Sequence, residues 1–306
     1  MKRDHSNNVE KIDVFTKITN RIIADLEKGV LPWRKPWSAD HLVTALPLSG
    51  STGEPYHGIN AIMLWLAAAD KGYKCRYWFT FDQAKKLGGN VKKGERSETA
   101  VYYKTVTKVE ATEDTDAEYY RLARGYAVFN GDQCEGLPAK FYVEEPASIV
   151  TPKERHAASE LFFANTGAEF RHGGNKAFYS PSQDFIQLPP FETFEDAESY
   201  AGTKGHEMIH WTKHETRLNR DYEKKKFGDE NYAKEELVAE LGAAFLCAIL
   251  GITPETRDDH AQYIGHWLQV MKGDNHVIFS AASEAQKAID FLQGLQVKQE
   301  KIAAAA

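Results

Sequence analysis

The sequence predicts an α+β protein of two domains. Residues 1–143 combine several short apolar strand signals with a few helices, whereas residues 153–306 show mainly helical periodicity. The stretch between them, 144–152, holds two acids and two prolines. The charge also changes there: residues 1–143 carry 21 Lys and Arg against 18 Asp and Glu, a net +3, and the rest of the chain carries a net −9. We therefore place a linker at 144–152.

The front domain, residues 1–143, opens with a helix. Apolar residues recur at helical spacing from Ile12 to Leu26, and Gly29 ends that helix. The loop that follows, 32–37, reads Pro-Trp-Arg-Lys-Pro-Trp. Two indoles beside two cations on a proline-stiffened loop suit stacking on unpaired bases, with the cations on phosphates. The alternative for either tryptophan is that its indole fills a gap at the edge of the core.

Short strands and helices alternate through the rest of the front domain. Asn60 is a suitable N-cap for the first of these helices. Residues 106–119 are acidic and rich in turn formers, so we expect an exposed hairpin tip or a mobile loop there. The other predicted elements are a helix over 61–71, a strand over 77–81, a helix over 82–87, a basic turn over 90–96, and strands over 99–104 and 126–130.

The back domain, residues 153–306, is predicted to be mainly helical. Two short strands around a Ser-Pro-Ser turn are expected within 178–188, where an edge strand could pair with an extended peptide. A capping box from Thr193 to Asp196 signals the start of a long helix. The predicted helices cover 153–166, 194–215, 232–250, 260–271 and 280–295.

The helix over 194–215 contains a motif with the chemistry of a metal site, His206-Glu207-Met-Ile-His210. Successive helical residues turn by about 100°, so the two histidines lie about 40° apart on one face and can bind the same ion. Glu207 projects beside the metal, where a carboxylate can take a proton from a metal-bound water. The alternative is a structural histidine pair, but the capped helix around the motif favours metal binding.

A catalytic zinc needs a third protein ligand and an open position. Glu236 and Glu240 share one face of the helix over 232–250, so that one can bind the ion while the other supports a histidine from behind. Glu235 is expected on a solvated face. His214 repeats the one-turn spacing after His210, but three ligands on one helix face would extend past a single ion.

The segment Glu236-Leu-Val-Ala-Glu240 resembles the Glu-x-x-Ala-acid helix of gluzincin-type metallopeptidases, in which the first acid is the ligand. This resemblance makes Glu236 the third ligand and leaves Glu240 behind a histidine. The expected mechanism is that zinc, or another divalent metal such as manganese, lowers the pKa of its water, Glu207 removes the proton, and the hydroxide attacks a peptide carbonyl. By order along the chain, Tyr263 or His266 is the candidate for stabilising the oxyanion.

Several front-domain motifs together resemble the N-terminal domain of ArdC-type antirestriction proteins. They are Trp33 to Trp37, Tyr56-His-Gly-Ile-Asn60, Trp78-x-Thr80-Phe81-x-Gln83-Ala84 with Gly88-Gly89 and Lys93-Gly94-Glu95, and Val128-Phe129-Asn130. In that family the front domain binds single-stranded DNA and the back domain is a zincin-like metallopeptidase. The resemblance implies a conjugation-associated protein that protects incoming DNA from host restriction. The candidate DNA contacts are Trp33, Arg34, Lys35, Trp37, Asn60, Lys92, Lys93 and Arg96.

Two alternative functions stay open at this stage: a DNA-binding protein whose zinc fold is not catalytic, and a zinc protease whose front domain recognises protein. The expected partners are single-stranded DNA and a protein substrate, with no membrane. The sequence shows no signal-peptide core and no apolar run of membrane-spanning length, which predicts a cytoplasmic protein. Its three separated cysteines indicate reduced thiols and argue against a thiolate metal site.

Overall fold

A computed structural model describes residues 13–33, 45–109, 118–142, 152–220, 230–252 and 260–296, and all structural statements concern these residues. Helices and sheets occur in both halves, which confirms the α+β prediction. The helices are α1 (Val14–Leu26), α2 (Ile59–Lys71), α3 (Phe81–Lys86), α4 (Pro152–Asn165), α5 (Ala197–Trp211), α6 (Glu230–Leu250), α7 (His260–Gly273) and α8 (Val277–Gly294). The strands are β1 (Leu48–Ser49), β2 (Tyr77–Phe79), β3 (Asn90–Val91), β4 (Glu98–Val109), β5 (Glu118–Asn130), β6 (Cys134–Glu135), β7 (Glu169–His172), β8 (Phe178–Ser180) and β9 (Phe185–Leu188).

The front sheet has the order β1-β2-β5-β4, and its main feature is the long antiparallel hairpin of β4 and β5. The pairing extends to Val109 opposite Glu118, so the prediction of a tip or loop over 106–119 is wrong at both of its ends. Residues 106–109 include two valines and a threonine, which favour extended backbone. Residues 110–117 lie outside the described ranges.

Asn60 fixes the outer edge of this hairpin. Its side-chain amide donates to the carbonyl of Val101 and its side-chain oxygen accepts from the Val101 N–H, both at 2.7 Å. Because β4 is the edge strand of the sheet, these two bonds replace a missing neighbouring strand. The predicted N-cap role of Asn60 is wrong, since Gly58 occupies that position and Asn60 lies inside α2.

The back half combines helices with a three-stranded sheet in the order β7-β9-β8. The two strands predicted within 178–188 are confirmed as β8 and β9, and β7 was not predicted. The N-cap of α5 is Asp196, which accepts from the N–H of Ser199; the predicted cap at Thr193 is wrong, because its hydroxyl donates to the carbonyl of Pro190. A 3-10 turn holds Thr193 before the helix begins.

One hydrophobic core contains residues from both halves of the chain. It includes Ile18 and Ile22 of α1 together with buried residues of α5, α6, α7 and α8. Trp33 is fully buried in this core, and its ring meets Trp267 edge to face at a centroid distance of 5.6 Å. The predicted linker lies almost entirely outside the described ranges, so the boundary at 144–152 stays a prediction. None of the described helices is long and apolar enough to cross a bilayer.

Candidate metal centre

Helices α5 and α6 bring two histidines and a carboxylate to one point. His206 and His210, one turn apart on α5, face Glu236 on α6, and all three side chains are buried. The Nε2 atom of His206 lies 3.5 Å from Glu236 Oε2, and Nε2 of His210 lies 3.4 Å from Oε1. One potential ligand atom from each residue falls within 4.8 Å of the others. The sequence analysis expected this same trio.

The spacing of these atoms fits a divalent metal. Ligands about 2.0–2.1 Å from a tetrahedral zinc are separated from one another by about 3.3–3.4 Å. The two nitrogen-to-oxygen distances of 3.5 and 3.4 Å, each to a different oxygen of Glu236, are close to this edge length. Two imidazole nitrogens and a carboxylate oxygen also suit zinc and manganese as donors. The residues therefore fit a divalent cation.

His210 is held from behind by Glu235 and Arg220. The Nδ1 atom of His210 lies 3.0 Å from Glu235 Oε1. Arg220 donates to both oxygens of Glu235 at 3.0 Å, and its other donors reach the carbonyl of Ile209 and the hydroxyl of Thr212. Since a carboxylate at Nδ1 keeps the proton on that nitrogen, Nε2 is left as the metal-binding atom.

His206 has an equivalent outer carboxylate. Glu240 Oε1 lies 3.2 Å from Nδ1 of His206, on the side of the ring away from Glu236. Glu240 is one helical turn from Glu236, and both side chains are buried. Glu236 thus lies against both histidine rings and Glu240 behind His206, as the sequence analysis expected, and their roles at a metal stay a prediction.

The electrostatics of the centre keep Glu235 and Glu236 charged. Burial alone would raise the pKa of Glu236, but the two histidine rings outweigh that effect and lower it. Burial would likewise raise the pKa of Glu235, but His210 and Arg220 outweigh burial and lower this pKa to about 2. Burial disfavours a charged His210 ring, yet Glu236 and Glu235 raise its pKa. Glu236 thus presents a charged carboxylate to the two histidine rings.

The other candidate catalytic residues differ in burial. Glu207 is buried on α5 next to His206. Tyr263 is partly buried, with its hydroxyl 3.2 Å from that of Tyr232, whereas His266 is exposed. Burial, followed by the charge of Glu236, raises the pKa of Tyr232 well above its ordinary value. Tyr232 is therefore a phenol beside the metal ligands that the sequence analysis did not select.

Glu235 was also misjudged, because it is buried and paired where a solvated position was expected. A signal existed: the helix from 232 to 250 is otherwise almost free of charge, so each acid in it needs a partner. Arg220 follows α5 in a loop, and no local pattern shows that it returns to this helix. His214 bonds to Thr216 at 2.9 Å and lies outside the ligand trio, as its lower ranking implied.

The candidate DNA contacts separate into four groups. Trp33 is fully buried, so the alternative that its indole fills the core describes its position, and stacking on a base is excluded in this conformation. The amide of Asn60 is occupied by Val101. The cations of the basic turn are exposed; they are Lys92, Lys93 and Arg96. Arg34, Lys35 and Trp37 lie outside the described ranges.

Two family models match the chain in succession. Residues 12–130 match the N-terminal domain of the anti-restriction factor ArdC. Residues 157–284 match a zincin-like metallopeptidase model, and this range contains the whole metal centre. The two halves that the sequence analysis separated thus correspond to two recognised domain families.

The most informative relatives cover nearly the whole chain. Two crystal structures of the antirestriction protein ArdC from plasmid R388 match at a TM-score of 0.77. The metal-free structure is 43% identical and covers 93% of this chain and 98% of its own. The Mn(II)-bound structure is 42% identical and covers 94% of this chain and 100% of its own. Protein y4eC of Sinorhizobium fredii strain NGR234 is 37% identical, covering 93% of this chain and 92% of the relative. A DNA primase TraC of Escherichia coli is 36% identical over 92% of this chain, which spans 27% of that protein's length.

Proposed function

The chain belongs to the family of ArdC antirestriction proteins, and from that premise we propose that it binds single-stranded DNA and protects incoming conjugative DNA through a metal-dependent peptidase site. The observation that supports the peptidase half is the buried trio of His206, His210 and Glu236, with its ligand atoms within 4.8 Å of one another. The DNA-binding half rests on the match of residues 12–130 to the ArdC front domain.

The chain supplies side chains to hold a metal and to move a proton in peptide hydrolysis. The trio would hold a divalent metal, zinc in our proposal, which when bound polarises a carbonyl and acidifies water. Glu207 is the proposed base, which takes a proton from the attacking water and delivers it to the leaving amine. Glu235 keeps the proton of the His210 ring on Nδ1, and the Glu240 carboxylate, 3.2 Å from Nδ1 of His206, favours the same tautomer there, so that both Nε2 atoms face Glu236. Arg220 holds Glu235 in place.

A second function is favoured by one observation: the trio and Glu207 are all at least nine-tenths buried. A metal enclosed in this way could stabilise the fold without hydrolysing a peptide. The protein would then act by binding DNA alone. The two functions differ in whether Glu207 is needed.

A conjugation assay distinguishes them. Unmodified plasmid DNA is transferred into a restricting host in the presence of the wild-type chain or the Glu207→Gln variant. We expect the variant to lose protection while it keeps its metal, measured by mass spectrometry, and its affinity for a labelled single-stranded oligonucleotide. Full protection by Glu207→Gln would exclude peptidase chemistry and leave the binding function.

The matched control is Glu215→Gln, which changes an exposed acid shortly after the same helix. It should protect as the wild type does. A wild-type chain that neither binds the oligonucleotide nor raises transfer into the restricting host would overturn the proposed function as a whole.

A further inference from the structure

The hairpin of β4 and β5 has one face that the proposed function does not yet explain. In an antiparallel pair, residues directly opposite each other point to the same side of the sheet. Tyr102 is opposite Arg124, and Ala100 is opposite Tyr126, so these four side chains share one face. We call Tyr102, Arg124 and Tyr126 the tyrosine face.

The tyrosine face begins at the core and ends in solvent. Ala100 is fully buried in a small cluster with Trp78, and Tyr126 packs against that cluster while partly exposed. Tyr102 lies one step further out and is 45% exposed. Its ring is 5.9 Å from that of Tyr126 at an interplanar angle of 60°. Two neighbouring rings therefore present aromatic surface next to a buried anchor.

The two strands of the hairpin hold more cations than acids. Its two strands contain four cations, Lys104, Lys108, Arg121 and Arg124, against two acids, Glu98 and Glu118. Glu98 pairs with Arg21 at 3.3 Å, and Arg21 also pairs with Asp70 at 2.9 Å. Arg124 is exposed, and among the described residues it has no ion-pair partner. Its guanidinium is thus available opposite the exposed ring of Tyr102.

We propose that the tyrosine face binds single-stranded DNA by stacking unpaired bases on Tyr102 and Tyr126, with Arg124 on a phosphate. Exposed rings beside cations are the combination that holds single strands without reading their sequence. The proposal rests on the proposed function and gives it a binding surface. The contact is confined to the base of the hairpin, because residues 110–117 contain four acids that repel phosphate.

The surroundings hold this surface in position. The two bonds from Asn60 to Val101 attach β4 to helix α2 directly beside Tyr102. On the opposite face, Gly125 lets α1 approach: a Cβ there would meet Thr99 Cγ2 at 3.0 Å and Val14 Cγ2 at 3.6 Å. Asn60 is therefore a positioning residue for the face and does not touch the DNA.

The test is fluorescence anisotropy of the full chain with a labelled oligothymidylate of about 20 nucleotides. Removing one stacked ring weakens such complexes by roughly 5- to 150-fold, so Tyr102→Ala should lie in that range and Tyr102→Phe should stay near the wild type. Arg124→Ala should also weaken binding and lower the salt slope by about 0.7, the share of one phosphate contact.

The matched control is Tyr103→Ala. This tyrosine is adjacent in sequence and 47% exposed, but it points to the other face of the hairpin. It should bind within about twofold of the wild type. Crosslinking with an oligonucleotide that carries iodouracil should label a peptide containing Tyr102 or Tyr126, which a merely structural role would not produce.

Three other outcomes of these binding measurements would contradict the proposal, each in a different part. Wild-type affinity in both Tyr102→Ala and Arg124→Ala, or equal losses in Tyr103→Ala, would overturn the tyrosine face and leave the proposed function standing. Tighter binding of the matching RNA, lost in Tyr102→Ala, would overturn DNA as the ligand. A wild-type chain that does not bind the oligonucleotide would overturn the DNA-binding function and this surface with it.

Discussion

The metal centre and the tyrosine face differ in how their side chains are exposed and held. At the metal centre every described ligand is buried, and each histidine has a carboxylate behind it. At the tyrosine face the side chains proposed to bind DNA are exposed or partly exposed, and the backbone that carries them is fixed. A metal site needs ligand atoms held within a fraction of an ångström, whereas a flexible polymer needs accessible rings and charge. Rigidity is therefore placed in side chains in one region and in the backbone in the other.

The largest expected effect is a loss of metal binding that leaves oligonucleotide binding unchanged. Glu236→Ala removes one of three ligands, so metal affinity should fall by more than about 100-fold, beyond the effect of outer-sphere changes. Its affinity for the oligonucleotide should stay within about twofold, because the tyrosine face is elsewhere. Metal content after gel filtration and anisotropy measure the two properties. The control Glu230→Ala, an exposed acid of the same helix, should change neither; retention of metal by Glu236→Ala would refute its role as a ligand.

The next effect tests whether the outer residues of the metal centre fix its side chains. Arg220→Ala leaves Glu235 buried without two of its three hydrogen bonds, which should cost about 3–5 kcal/mol of unfolding free energy. Metal affinity should fall about 10- to 100-fold through His210. Urea denaturation and metal titration are the measurements.

Lys213→Ala serves as the control for Arg220→Ala, since Lys213 also lies near Glu235, at 3.8 Å, but is more exposed. It should cost less than about 1 kcal/mol. Equal effects of the two variants would show that charge, and not the fork of hydrogen bonds from Arg220, supports the centre.

A smaller effect tests the backbone of the tyrosine face. Asn60→Ala deletes both hydrogen bonds to Val101, at an expected cost of about 1–2 kcal/mol. Hydrogen exchange at the Val101 amide should accelerate, and oligonucleotide affinity should fall while metal content does not change. Unaltered exchange at Val101 would mean that Asn60 does not hold the edge of the hairpin.

The smallest effect concerns a half-exposed ion pair near the metal helix. Hydrogen bonds from Arg217 and Tyr179, against some desolvation, hold the pKa of Asp184 below its ordinary value of 3.8. The carboxylate therefore stabilises the fold above about pH 4 and loses this effect as the pH falls through its lower folded-state pKa. In the metal-free protein, the stability difference between the wild type and Asp184→Asn should shrink as the pH falls from 6 towards 3. A difference that does not depend on pH would exclude an ionic contribution.

The metal centre was predictable because helical periodicity is local information. The spacing of His206 and His210, and that of Glu236 and Glu240, fixes which side chains share a face before any tertiary contact is known. Packing of α5 against α6 then needs to be correct only in its general orientation. Glu235 was missed because its partner Arg220 is distant in sequence, although a charge in an apolar helix indicates that some partner exists.

The proposed DNA-binding surface was less predictable because exposure is a tertiary property. Trp33 has neighbours that suit a nucleic-acid loop, yet its ring is covered by Trp267 from the far end of the chain. Asn60 belongs to a motif of the family but is occupied by Val101. Tyr102 and Arg124 become neighbours only through the register of β4 and β5, which no single segment specifies.

The core that both halves share has a practical consequence for dissecting the molecule. Trp33 and Trp267 are in contact, as are Trp65 and Phe245, and each pair takes one ring from either side of residues 144–152. A gene divided within that stretch would encode two fragments that each expose a large hydrophobic surface, and each fragment should precipitate when expressed alone. The two fragments, when co-expressed, should instead associate through these surfaces into a complex with the fold of the intact chain.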